Sequence, residues 1–385
     1  MRTYGRLLRH PPTSISLLAA FVGAIPIGMW PLAIVLGALD RGGSAADAGL
    51  VAAVFGIGNA LGVVTQGALL ARVRATRLLP AFAALGIVAA VLLEGDGRLA
   101  GAALAGIAIP AITPAVRGRF AWTLPGSDRP GAYALVNVLF QAGIALGPLV
   151  AAGLAAAGLV RWAPPIAAVG GLIAAGFVVV AERGRRRVVI EPSPAARGRV
   201  RVVRSGVLVL LGVAATAGFG IGTLQVLVPV RSGAATSGAA FAALALAEVG
   251  GAVLIGGRVG SRHAFRLLVG GTAAMAIVYL LFGAGLSAVP AAVVLGVVTA
   301  VQSLGGALGL DRFVPAGRVS AVFSLQIAVL IIGAAAGSLV AGVEPDTAFV
   351  LASLLLSAAA VAALLVTARP PHGVGRPAGP EAHAR

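Results

Sequence analysis

The sequence predicts an all-α integral membrane protein of twelve transmembrane helices, arranged as two six-helix, pseudo-symmetric halves. Three observations predict it: too little charge for a water-facing surface, apolar runs of membrane-crossing length, and arginines gathered on one side of those runs. Of the 385 residues, 59% are hydrophobic and 11% charged, and the mean hydropathy is +1.02. Soluble domains carry about 25% charged residues, so the solvent for most of this surface is lipid. Glycine, at 55 residues, weakens helices in water but lets helix backbones approach closely in a bilayer.

A span takes about 20 apolar residues. Such runs fall at 15–39, 48–70, 78–93, 99–116, 131–158 and 163–181, and again at 206–229, 234–257, 267–286, 289–309, 319–343 and 347–367. The first run follows a basic N-terminus, but it is too long for a signal-peptide core and lacks a clear cleavage site, so it reads as the first span.

The net charge of +17 would suggest nucleic acid in a soluble chain. Here it is a topology signal. The chain has no lysine, and with the N-terminus inside, 25 of its 29 basic residues face the cytoplasm; Arg41, Arg98, Arg161 and Arg231 are the exceptions. The positive-inside rule predicts this asymmetry. The sequence therefore predicts a multi-pass protein of the bacterial inner (cytoplasmic) membrane with both termini cytoplasmic, no nucleic-acid partner, and a monomeric state. Cysteine is absent, and the four histidines, His10, His263, His372 and His383, fall in predicted loops or tails. A metal centre, a bound cofactor and a thiolate nucleophile are not expected.

Six spans on each side of a hydrophilic segment give the domain layout: a first half at 1–181, a basic cytoplasmic linker at 182–205, a second half at 206–368, and a disordered cytoplasmic tail at 369–385. Internal repetition supports the division. RFAWTLP at 119–125 recurs loosely as RFVP at 312–315, GPLVA at 147–151 as GSLVA at 337–341, and RLL at 77–79 as RLL at 266–268. The offsets of 193, 190 and 189 residues are about half the chain, as expected of homologous halves related by an axis along the membrane normal, a transporter architecture.

Over essentially its whole length the chain resembles the major facilitator superfamily, and two motif regions carry the resemblance. In the loop after the second span, Gly67, Arg72 and Arg77 match a Gly-x-x-x-Asp-Arg-x-Gly-Arg-like pattern, while Ala71 replaces the acidic residue and Arg74 the second glycine. The resemblance implies that the conformational latch supplied by that aspartate is absent or replaced. In the fifth span, Gly143, Gly147 and Pro148 match a stretch found in drug/proton antiporters of the family, with Ala151 and Ala152 in place of its paired glycines. Glycines four apart give a flat packing face, and proline removes a helical hydrogen bond. This match points to export.

Polar side chains inside a bilayer are costly and therefore informative. Away from span ends the strongly polar residues are Asn59, Asn137, Gln141, Gln225, Glu248, Gln302 and Gln326, with Gln66 nearer the cytoplasmic end of span two. Spans three, six, nine and twelve have none, and in the family these four are the lipid-facing helices. Glu248, the one acidic residue within a span, lies ten residues before Arg258, roughly 15 Å along a helix axis. A carboxyl near the midplane suits proton uptake and release; its alternative role is packing as a neutral, hydrogen-bonded group. Asn137 and Gln141, four apart, share one helix face and suit either an uncharged polar substrate or interhelical hydrogen bonding. Trp30, between Pro26 and Pro31, is a candidate aromatic wall of the cavity or an interfacial anchor. Asp311 and Arg312 read as a cytoplasmic charge contact.

The function expected is secondary transport of a small molecule by alternating access, with protons as coupling ion and efflux as direction. Uptake of a neutral metabolite such as a sugar, and a non-transporting membrane sensor or scaffold, are the alternatives. No Gly-x-x-x-x-Gly-Lys-Ser/Thr loop is present, and no nucleophile–base or metal constellation points to an enzyme.

Overall fold

In the computed structural model, which describes residues 7, 9–125, 127–183, 204–256, 263–314 and 319–368, every extended regular element among the described residues is helical. The helices are α1 (Pro11–Asp40), α2 (Ala45–Leu70), α3 (Ala75–Glu94), α4 (Arg98–Ala108), α5 (Ile112–Thr123), α6 (Arg129–Ala156), α7 (Ala163–Glu182), α8 (Arg204–Gly256), α9 (Ala264–Gly283), α10 (Ala288–Phe313), α11 (Val319–Val343) and α12 (Ala348–Ala368). Most of the expected linker, 184–203, and the expected tail, 369–385, lie outside the described residues.

Local chemistry sets several helix starts. Prolines occupy the first turn of α1, α6 and α7, where a missing N–H costs nothing. α2 begins on a capping box in which the Asp47 N–H donates to Ser44 Oγ at 3.2 Å and the Ser44 N–H donates to the Asp47 carboxylate at 2.8 Å.

Two spans depart from a single straight helix. The fourth is α4 plus α5, broken at Ile109–Ala111, because Pro110 has no N–H and disfavours helical geometry in the residue before it; Ile109 sits at φ −59°, ψ 111°. Gln66 of α2 occupies the break. Its Nε2 donates to the Ile107 and Ile109 carbonyls at 3.1 and 2.7 Å, and its Oε1 accepts from the Ala111 N–H at 2.9 Å. One buried amide thus satisfies three backbone groups that the broken helix leaves unpaired.

The second departure is α8, 53 residues long. A straight helix of that length would measure about 80 Å, more than twice the ~30 Å hydrocarbon core. Gly233, at φ 74° and ψ 177°, interrupts it in a region that only glycine adopts readily. The chain reverses there. Gly206 and Leu210 of the first limb meet Phe313 and Gly309 of α10, an antiparallel register, whereas Leu244 and Gly251 of the second limb meet Gly296 and Ala300, a parallel one. The eleven helical runs of membrane-crossing length and hydropathy among the described residues therefore make twelve spans.

The halves repeat one another in contact detail. A methyl at Gly143 or Gly147 of α6 would strike the Phe21 or Ile25 carbonyl of α1, and one at Gly333 or Gly337 of α11 would strike the Ala215 or Phe219 carbonyl of α8. Each α11 glycine stands 190 residues after its α6 counterpart, and each α8 carbonyl 194 after its α1 counterpart. Small residues at these positions allow the backbone-to-backbone packing that membranes favour.

Contact between the halves is carried mainly by α2 on α11 and α6 on the second limb of α8, with lesser contacts of α1 and α2 on α8. Spans three, six, nine and twelve take no substantial part. The seam also obeys the repeat. Gly49 lies against Ser338 and Gly342, and Gly238 lies against Pro148 and Ala152. Among the described residues, apolar clusters bridge the halves toward one end. An apolar cluster containing Val35, Ala38, Ala48 and Ala52 of the first half continues into Ala217, Phe219 and Ala341 of the second. Toward the end that carries the N-terminus, one cluster holds Leu17, Leu79, Val116 and Val136 of the first half alone, and another holds Leu210, Val213, Leu268 and Leu310 of the second half alone. Among the described residues, the bundle is sealed by apolar contact at the end opposite the N-terminus, and the halves form separate clusters at the other.

Candidate functional site

The candidate site lies on the seam, along one face of α6. Helical spacing places Asn137 and Gln141 one turn apart on that face. The Gln141 amide faces the Glu248 carboxyl, on the second limb of α8 in the opposite half. One turn away, Asn137 Oδ1 accepts a hydrogen bond from the Arg117 guanidinium of α5. The α6 face therefore stands between a cation from span four and a carboxyl from span eight. Asn137 is exposed, while Arg117, Gln141 and Glu248 are half-buried. Arg117 Nε is buried without a hydrogen-bond partner.

The pseudo-symmetry singles out Glu248. Gly296 of α10 packs on the backbone at Leu244 and Glu248, and Gly106 of α4 packs on the backbone at Phe55 and Asn59 in the same way. Glu248 and Asn59 are thus equivalent positions of spans eight and two. The position equivalent to Gln141, 190 residues on, is Ile331 of α11. One of two equivalent seams carries the carboxyl and its amide neighbour, while the other has an amide and an isoleucine at those positions.

The remaining residues expected to line a cavity are dispersed. Trp30 is 3% exposed and belongs to the apolar cluster of the first half with Val51, Phe55 and Ala90. Gln302 is buried on α10 where the helix presses against Gly271 of peripheral α9. Gln225 and Asn59 are half-buried. Gln326 of α11 is half-buried beside Gly306 of α10, and its Oε1 is buried without a hydrogen-bond partner.

Of the motif residues, Gly67, Arg72 and Arg77 are exposed at the end of α2 and the start of α3. Gly143, Gly147 and Pro148 are buried. The first two hold α6 to α1, and Pro148 borders the seam at Gly238.

Arg117 escapes the hydropathy reading, which ends span four at the first charge and assigns the residue to a cytoplasmic loop. The helical run instead continues to Ala121. The neighbouring Arg119 serves structure. Its Nη1 donates to the Pro12 carbonyl at 2.9 Å and to Ser16 Oγ, tying α5 to the first turns of α1.

The Major Facilitator Superfamily family description matches residues 13–326 of the chain. Solved structures share the fold at low identity. The crystal structure of an auto-inhibited POT family peptide transporter superposes with a TM-score of 0.72 at 12% identity, covering 95% of this chain and 98% of that one. The crystal structure of the nucleoside transporter NupG gives 0.69 at 12% identity, covering 94% and 100%. A search of curated proteins by sequence finds no match. Matched over most of its length, with six helices paired against six by a repeat of about 190 residues, the chain belongs to the Major Facilitator Superfamily and is a membrane transport protein.

Proposed function

We propose that the protein is a proton-coupled secondary transporter that exports a small, moderately apolar molecule by alternating access. The observation that carries this reading is the placement of Glu248 against Gln141 on the contact that must break and re-form when the halves rock. Burying a charged carboxylate at a packed seam is costly, and a neutral carboxyl paired with an amide is tolerated. Proton uptake by Glu248 therefore favours the seam as it stands. Proton release favours water entry and separation of α6 from α8. The single carboxyl of two equivalent positions makes this one seam the proton-sensitive one.

The polar residues of the central spans, though dispersed, suit the substrate class. Asn137, Gln141, Gln225 and Gln326 offer neutral donors and acceptors, and Arg117 adds a donor-rich spot for a substrate oxygen. Export is favoured by the Gly143, Gly147 and Pro148 stretch, whose place in the structure suits a helix that stays fixed to α1 while moving against α8. The arginine distribution favours cytoplasmic termini, with the basic stretch 182–205 as the link between the halves. The parted end then faces the cytoplasm, where an exporter loads its cargo.

The test uses proteoliposomes with an imposed proton gradient and a pH-sensitive dye, screened against a compound panel. Compound-dependent proton flux supports the reading. Transport of a compound without proton flux rejects coupling through Glu248, and no transport of any compound favours a sensor or scaffold.

A further inference from the structure

The end of the bundle opposite the N-terminus carries a pocket of about 180 Å³, formed within the second half where the first limb of α8, the end of α9 and the starts of α10 and α12 converge. Arg231, Ser232 and Ser287 line it together with Phe282, Leu286 and Phe349. The floor is aromatic: the Phe282 and Phe349 rings stack with centroids 5.6 Å apart and planes 12° from parallel. The guanidinium of Arg231 lies over the Phe349 ring at 5.2 Å and donates through Nη2 to the Pro345 carbonyl at 3.1 Å. These contacts hold the guanidinium in place and use one of its five N–H donors.

Its acidic neighbour does little to neutralise it. Asp346 approaches to 3.7 Å with a side chain that is fully exposed, and exposed pairs of this kind are worth about 0–1 kcal/mol. The pocket thus joins a fixed, under-neutralised guanidinium and two serine hydroxyls at the rim to an aromatic and aliphatic floor. Arginine binds phosphate in a fork geometry with paired hydrogen bonds. Serine hydroxyls add donors to the same kind of oxygen.

We infer that this pocket binds the phosphate of an anionic phospholipid, with the phosphate on Arg231, Ser232 and Ser287 and the first acyl carbons on Leu286, Phe282 and Phe349. The rim lies at the ends of four membrane-crossing segments, which is the depth of the headgroups. The apolar floor favours a lipid over free phosphate, since inorganic phosphate would use the rim and leave the floor uncovered. All the lining residues belong to one half, so the lipid would travel with that half as the seam opens.

The experiment is native mass spectrometry of the full-length protein released from detergent, with phosphatidylglycerol, phosphatidylcholine or inorganic phosphate added at matched concentrations. The wild-type protein is expected to retain phosphatidylglycerol about tenfold better than phosphatidylcholine, a preference of about 1.4 kcal/mol. Arg231→Gln should abolish the preference, and Arg231→Lys should keep part of it. Leu286→Glu, on a half-exposed side chain, should abolish retention without disturbing the packed rings. Equal retention of phosphatidylglycerol by the wild type and Arg231→Gln overturns the proposal. So does inorganic phosphate that displaces the lipid at equal concentration, which would make the occupant a free anion.

Discussion

Gln141 and Glu248 face each other across the seam between the two halves, one turn along α6 from the contact between Asn137 and Arg117. In a structure whose halves repeat several glycine contacts, this pairing is not repeated: the corresponding positions are Ile331 and Asn59. The departure from symmetry places a carboxyl on one seam and not on its counterpart.

Replacing Glu248 by Gln keeps a hydrogen-bonding side chain of the same shape and removes the proton site. The variant should reach the membrane in normal amounts, lose proton-driven transport to background, and retain exchange of substrate down its own gradient. Paired measurements of driven flux and exchange in proteoliposomes check this. Driven transport at the wild-type rate would refute a coupling role for Glu248.

The sealed end can be locked. Gly56 and Ala335 face each other across the seam, and a β-carbon built at Gly56 lies 2.9 Å from that of Ala335, so the helices must part by about 1 Å to reach the ~3.8 Å of a disulfide. Because the protein has no cysteine, Gly56→Cys combined with Ala335→Cys forms an unambiguous pair. Oxidation should arrest transport and reductant should restore it. A single cysteine at exposed Gly67 should react readily with a water-soluble maleimide in the same state.

Gln66 should matter to stability and not to coupling. Gln66→Leu removes three hydrogen bonds at the break between α4 and α5, worth about 0.6 kcal/mol each in membranes, or about 2 kcal/mol together. Unfolding in mixed micelles measures the loss. The coupling ratio of protons to substrate should stay unchanged.

At Gly233 the backbone requirement is conformational. Gly233→Ala forces a side chain into φ 74°, ψ 177° and should destabilise the protein by about 1–3 kcal/mol. Gly212→Ala, on the same long helix at a position where an added methyl meets nothing within 4 Å, is the control and should be neutral or slightly stabilising. Thermal denaturation of the two variants in one detergent separates conformational strain from simple loss of glycine.

Much of the fold was legible from one dimension. Lipid-facing helices leave long apolar runs, so the runs ending near Leu70 and Val343 end where the helices end. The GPLVA and GSLVA match at an offset of 190 pairs Gly147 with Gly337, and in the structure both make the same backbone contact on equivalent helices. Hydropathy is blind to geometry. It ends span four before Arg117, whereas the helical run continues to Ala121 with the arginine received by Asn137. It could not see that Pro110 breaks that span and that Gln66 repairs the break, because the two lie 44 residues apart in sequence.

The sequence by itself determined that the chain lives in a membrane, how many times it crosses, and that its halves are copies, because these follow from composition, run length and repetition. It also exposed Glu248 as an acid within a span. Only the tertiary structure decided which polar residues come together. Direction of burial depends on which helix lies opposite, so Gln302 turns toward α9, Trp30 enters an apolar cluster, and Gln141 comes to rest against Glu248. Those neighbours are set by small residues packing backbone on backbone across helices far apart in the chain, and no local pattern records them.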